Sequence, residues 1–114
     1  LKNMFFAVAD EKVVGMIGLI RSVGEPSKHA AHIISFWVKP EYRGRGIGKE
    51  LIKHLQDYAR QNSIRKLYLQ VAVTQEGAIK LYEKMGFEKV GTLKEHTKCG
   101  NTYLDQYFME WHNK

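Results

Sequence analysis

The chain has 114 residues, with 18 Lys and Arg against 12 Asp and Glu, a formal charge of +6 and 44% hydrophobic residues. That suffices for a single domain over residues 1–114 with a modest core, and no apolar stretch reaches the roughly 18 residues of a membrane span. The first residues do not read as a signal peptide, and with Cys99 the only cysteine no internal disulfide can form, so a reducing, cytoplasmic setting is expected.

Residues 5–9 and 13–20 are apolar runs joined by Asp10-Glu11-Lys12, which reads as an antiparallel hairpin. Residues 22–28, with Gly24 and Pro26, read as a loop. Residues 31–38, rich in Ile, Phe, Trp and Val, are the next strand, and Pro40 lacks the amide hydrogen needed to extend it. A helix is expected over residues 47–61, because Ile47, Leu51, Leu55, Tyr58 and Ala59, with Ile52 beside them, share one face. Residues 67–73 alternate as a strand. Thr74 is then the expected cap of a second helix over residues 75–85, with Ala78, Leu81, Tyr82 and Met85 as its buried stripe and Gly86 as its left-handed end. Residues 87–93 and 103–111 are two further strands around a polar loop at Lys98-Cys99-Gly100-Asn101. The order strand, strand, strand, helix, strand, helix, strand, strand predicts one sheet with helices packed on it. The first strand opens almost at Leu1, so the chain reads as the retained part of a longer protein.

Between the third strand and the first helix runs Val38-Lys39-Pro40-Glu41-Tyr42-Arg43-Gly44-Arg45-Gly46-Ile47-Gly48-Lys49. Glycine permits positive φ and close backbone approach. The amides at a helix N-terminus are unpaired and lie at the positive end of its dipole, so the stretch suits an anion. A P-loop would need Lys-Ser/Thr after its second glycine, and here Lys49-Glu50 follows Gly48. A dinucleotide fingerprint needs Gly-x-Gly-x-x-Gly, whereas Gly44, Gly46 and Gly48 are evenly spaced. The cations are scattered, without an arginine-rich arm or an aromatic-basic RNA motif, which suits a solvated surface or a polyanionic small molecule better than nucleic acid.

Arg-x-x-Gly-x-Gly, met by Arg43, Gly46 and Gly48 behind the Val38-to-Tyr42 lead-in, resembles the coenzyme A pyrophosphate loop of the GNAT superfamily of N-acetyltransferases. Ala78-Ile79-Lys80-Leu81-Tyr82-Glu83-Lys84-Met85-Gly86-Phe87 is similar to the family's other signature, Ala-x-x-Leu-Tyr-x-x-x-Gly-Phe. The resemblance covers nearly the whole chain. It implies an α+β fold, a central, mostly antiparallel twisted sheet flanked by helices. It also implies that the first strand and helices of such domains, which often line the acceptor site, are missing.

The resemblance further implies direct attack of an amine on the thioester of acetyl-CoA. The backbone of Phe36, Trp37 and Val38 would pair with the pantetheine arm. The turn residues Arg43, Gly44, Arg45, Gly46, Ile47, Gly48 and Lys49 would take the pyrophosphate. Gln75 stands where many members have an Asn that contacts the cofactor arm. Tyr82 would protonate the leaving thiolate. At pH 7 only about 0.04% of a lysine-like amine is neutral, so the site must desolvate it or supply a base. The strand of residues 31–38 lacks the Glu that several relatives use, which leaves His32 as the base expected first, ahead of His96 and Asp105. Asp105 and Glu95 could face a cationic acceptor. Cys99 has no paired base that would make it a nucleophile, and no ligand spacing for a metal is present. A polyamine, an antibiotic, an amino acid or a protein N-terminus would each fit as acceptor. The alternative is an acetyl-CoA-binding module without catalysis. Homodimerisation is common in the family, and the sequence leaves it open.

Overall fold

The structure, a computed structural model, describes residues 2–21 and 29–113, so the loop expected over residues 22–28 lies outside it. Strands β1 (Lys2–Ala9) and β2 (Lys12–Arg21) form an antiparallel hairpin. Its turn is Asp10 and Glu11 alone, with φ 53° and 62°, and Lys12 already belongs to β2. Positive φ at both central residues lets a two-residue turn follow the twist of its strands. Strand β3 (Ala30–Val38) leads through a 3-10 turn (Pro40–Tyr42) to helix α1 (Ile47–Gln61). Then come β4 (Lys66–Ala72), α2 (Glu76–Lys84), β5 (Glu88–Cys99) and β6 (Thr102–His112).

The six strands make one sheet in the order β1-β2-β3-β4-β6-β5, antiparallel throughout except for β3 beside β4. Both helices pack on the same face of it. Leu51, Ile52, Leu55 and Ala59 of α1 and Ile79 and Tyr82 of α2 join one core with Ile17, Leu19, Ala31, Ile33, Leu67, Leu69, Val71, Met109 and Trp111. The strand contributors sit at alternate positions, because successive strand side chains point to opposite faces. No helix among the described residues is long and apolar enough to cross a membrane.

Three local expectations are corrected. Thr74 does not cap α2. The Gln75 N–H bonds the Ala72 carbonyl at 2.9 Å, so the chain turns immediately after β4 and Gln75 takes the cap position, with no side-chain cap bond. The buried residues of α2 are Ile79 and Tyr82, while Ala78, Leu81 and Met85 are only partly buried; Ala78 and Leu81 border a cleft, and Met85 is the C-cap. Lys98 and Cys99 lie in β5, not in a loop. Pairing with β6 breaks between Leu93 and Thr97 and then resumes, and the Asp105 carboxylate accepts the Glu95 N–H at 2.9 Å to hold that irregularity.

Candidate functional site

Parallel pairing of β3 with β4 is limited to Ala30, Ala31 and His32 opposite Lys66, Leu67 and Tyr68. Beyond that point β3 follows β2 as far as Val38, and β4 follows β6 as far as Ala72. The sheet therefore splits. The register of β3 with β2 is irregular between Met16 and Gly18, and Ser35 has φ 55°. Such a bulge raises local twist and turns the following side chains over. Phe36 thereby packs against the helix-side core, although Ser35 and Trp37 are exposed. The edge of residues 33–38 that faces β4 has no strand partner among the described residues. Apart from the Val38 carbonyl, which accepts from Arg43 Nε, its backbone N–H and C=O groups can pair with an extended ligand.

A cleft of about 790 Å³ occupies the split. Phe36, Trp37 and Val38 form one wall, α2 and the turn before it form the other, and the glycine turn lies between them. Gly44 and Gly46 have φ 78° and 83°, and a Cβ on either would meet nothing within 4 Å. The glycines serve the backbone path and leave open space outside it. The first α1 hydrogen bond runs from the Glu50 N–H to the Gly46 carbonyl at 3.0 Å. The amides of residues 44–49 thus have no backbone partner among the described residues and lie at the positive end of a 15-residue helix. Gly48 sits where the parts converge, since a Cβ there would stand 3.1 Å from both Phe36 and Leu81. The Arg43 Nε donates to the Val38 carbonyl at 3.0 Å, fixing the turn to the end of β3. Lys49 also lines the cleft. The Arg45 side chain does not. It lies over the Tyr42 ring at 4.9 Å and borders a second cleft of about 440 Å³ between β1 and α1, so its guanidinium is turned away from the first cleft. The Tyr42 hydroxyl donates to Asp10 at 2.7 Å, which ties the β1–β2 turn to the same region.

Gln75 borders the cleft with a side chain that caps no helix amide. Tyr82 is about two turns further along α2 and 6% exposed. Its ring lies between Phe36 and Phe87, each at 5.8 Å between centroids. Burial pushes its phenol up to about 12, so the hydroxyl keeps its proton throughout the neutral range. It has no hydrogen-bond partner among the described residues, and it is not a fully buried orphan.

His32 stands at the closed end of the split, on the sheet face opposite the helices, as its core-facing neighbours Ala31 and Ile33 require. Its ring stacks on Tyr68 at 4.8 Å, and Tyr68 stacks on Phe108 at 5.5 Å. Burial lowers its pKa below the ordinary histidine value, so it is neutral at pH 7. Asp105 accepts from the Glu95 N–H and pairs with Lys94 at 3.3 Å; the backbone bond first, then Lys94, holds its carboxyl below the usual range. Its charge is committed to the β5 irregularity. Glu95, His96 and Cys99 are exposed, and none of these residues borders the cleft.

Leu81, Lys84 and Gly77 also line the cleft, which nothing in the sequence pattern singles out. Their spacing with Thr74 and Ala78 in steps of three and four marks a second helix face, legible only once that face is known not to be core. Gln56 is the one polar residue buried in the described core. Its signal in the sequence is a polar residue within the apolar stripe of α1.

Residues 2–87 match the model of the Acetyltransferase (GNAT) family. The chain is 34% identical over 99 residues to the N-alpha-acetyltransferase RimI of Mycobacterium tuberculosis, covering 85% of this chain and 58% of that one. A probable acetyltransferase from Staphylococcus epidermidis has a structure similar at TM-score 0.89 and 26% identity, over 99% of this chain and 68% of that one. A putative acetyltransferase from Salmonella typhimurium, solved with its cofactor acetyl-CoA, shares the fold at TM-score 0.88 and 18% identity, over 97% of this chain and 64% of that one. The chain spans between 21% and 58% of the length of three curated relatives it matches.

Proposed function

This chain belongs to the GNAT acetyltransferase family, and from that premise we propose that it transfers an acetyl group from acetyl-CoA to a primary amine. The observation that carries the proposal is the split between β3 and β4, with unpaired amides of a helix N-terminus at its floor. The open turn at Gly44 and Gly46 fits a diphosphate, and the free edge of Phe36, Trp37 and Val38 fits an amide-bearing arm. When bound, acetyl-CoA supplies an acetyl group activated as a thioester, with a thiol as leaving group.

The chain's own groups then have defined tasks. The amides of residues 44–49, with Arg43 and Lys49, hold the diphosphate, and Gln75 contacts the arm. A β3 amide aimed at the carbonyl oxygen is worth about 2.7–4 kcal/mol where charge develops on that oxygen. The amine nitrogen forms the new bond to the acetyl carbon as the carbon–sulfur bond breaks. Tyr82 gives its proton to the sulfur and recovers one from water, while the amine releases its own. Burial lifts the phenol above its ordinary value, so complete transfer of its proton to the thiolate is uphill. Tyr82 therefore acts within the bond-breaking step and is reprotonated at once. His32, neutral at pH 7 and at the closed end of the split, takes the amine proton. The acceptor is an amine of a small molecule or of a protein N-terminus.

Two arms test the reading. Thermal-shift titration should show stabilisation by acetyl-CoA, and coenzyme A release should appear with at least one acceptor in an amine panel. Stabilisation without release for every acceptor would make the chain a binding module. Gly46→Ala should cost about 1–2 kcal/mol of backbone strain at φ 83° and weaken acetyl-CoA binding, read by calorimetry; unchanged affinity would remove the turn from the site. His32→Gln should lower kcat at pH 7 by about 10²-fold, and an unchanged rate would leave the amine without a protein base at that position.

A further inference from the structure

We infer that Gln56 is a positioning residue for Tyr82, fixing the end of α2 from which that phenol projects; the inference rests on the acetyl-transfer reading above. Gln56 lies in the buried stripe of α1 and is 5% exposed. Its Nε2 donates to the Met85 carbonyl at 2.7 Å, across 29 positions of chain. Met85 is the C-cap of α2, where helix carbonyls lack partners of their own.

The cap leads straight to Tyr82. The Met85 N–H donates to the carbonyls of Tyr82 at 3.1 Å and Leu81 at 3.0 Å, and the Phe87 N–H donates to the Tyr82 carbonyl at 2.9 Å. Gly86 closes the cap at φ 95°, where a Cβ would stand 3.3 Å from Trp111. Gln56 therefore holds the peptide group of a cap that carries the Tyr82 backbone, while Phe36 and Phe87 hold its ring.

The other end of α2 is fixed separately, by the Gln75 N–H on Ala72 and the Ile79 N–H on Gln75. Loss of the Gln56 donor should displace the Tyr82 end and leave the turn at Gln75 in place. An apolar side chain of the same length would bury as well, so what the amide adds is direction.

Gln56→Met keeps the length and removes the donor. Its kcat should fall by about 10- to 100-fold, the scale of a sub-ångström to 1 Å misplacement of a reacting group, with acetyl-CoA affinity unchanged. Gln56→Met combined with Tyr82→Phe should be no slower than Tyr82→Phe alone. Tyrosine-ring NMR without acetyl-CoA gives a readout free of turnover. The resonance that Tyr82→Phe deletes should shift in Gln56→Met, while the amides of residues 44–49 stay put. Penalties that multiply in the double variant, or an unmoved Tyr82 resonance, would overturn the inference. If Gln56→Met does not fold, Gln56→Asn, one methylene shorter, takes its place with the same outcomes. A wild type inactive on every amine would defeat the acetyl-transfer reading, and the NMR arm would still decide whether Gln56 positions Tyr82.

Discussion

Tyr82→Phe is expected to lower kcat for acetyl transfer by about 10²- to 10⁴-fold, the range a positioned proton donor supplies, with acetyl-CoA affinity intact. The phenyl ring keeps its place between Phe36 and Phe87, so the variant loses a proton and little packing. Steady-state kinetics beside calorimetric affinity check this, and an equal kcat would end the role of Tyr82 in the chemistry. The same substitution has an alkaline signature. The folded phenol sits near 12 and the unfolded one near 10, so the folded state holds more protons between those values. The associated stability is whole below pH 10 and is lost as pH rises through 12. It is on the order of 1–3 kcal/mol in full. Urea midpoints at pH 9 and 11 should therefore fall further in the wild type than in Tyr82→Phe. Parallel decline would show that the phenol is not buried in solution.

Leu55→Ala is expected to destabilise the fold by about 2–5 kcal/mol, as for other fully buried leucines, against the 5–15 kcal/mol that hold a typical domain together. Leu55 is 0% exposed and sits beside Ile52, also at 0%, in the face of α1 that covers the sheet. The same helix supplies the N-terminal amides of the cleft floor, so acetyl-CoA should restore part of the lost melting temperature by mass action. Lys53→Ala, on the exposed face of α1 with a surface pair to Asp57 at 3.3 Å, should move stability by less than about 0.5 kcal/mol. A Leu55→Ala cost below about 1 kcal/mol would mean that α1 is not docked as described.

Period and punctuation made the regular elements legible. The apolar repeat of α1 located all of its 15 residues, and Gly86 marked the end of α2 because a left-handed residue there favours glycine. The β5–β6 hairpin was less legible. Its strands run longer than their apolar alternation, since β5 contains an irregularity at residues 94–96 that only the Asp105 carboxylate explains. Thr74 misled because a good capping side chain is outweighed when the chain must turn directly out of a strand. The stripe of α2 misled because helical period identifies a face without saying whether core or cleft lies against it.

The sequence by itself determined the order of elements, the glycine turn at the N-terminus of α1 and, through two motifs about 30 residues apart, the family. These depend on local chemistry, on residues near enough along the chain to share a turn or a helix. The tertiary structure alone decided where β3 and β4 part, which face of α2 meets the cleft, that the Arg45 side chain leaves it, that His32 and Tyr82 lie on opposite faces of the sheet, and that Gln56 grips the cap behind Tyr82. Each of these joins segments distant in sequence, and strand pairing, bulge and helix docking fix such distances only when the whole sheet closes.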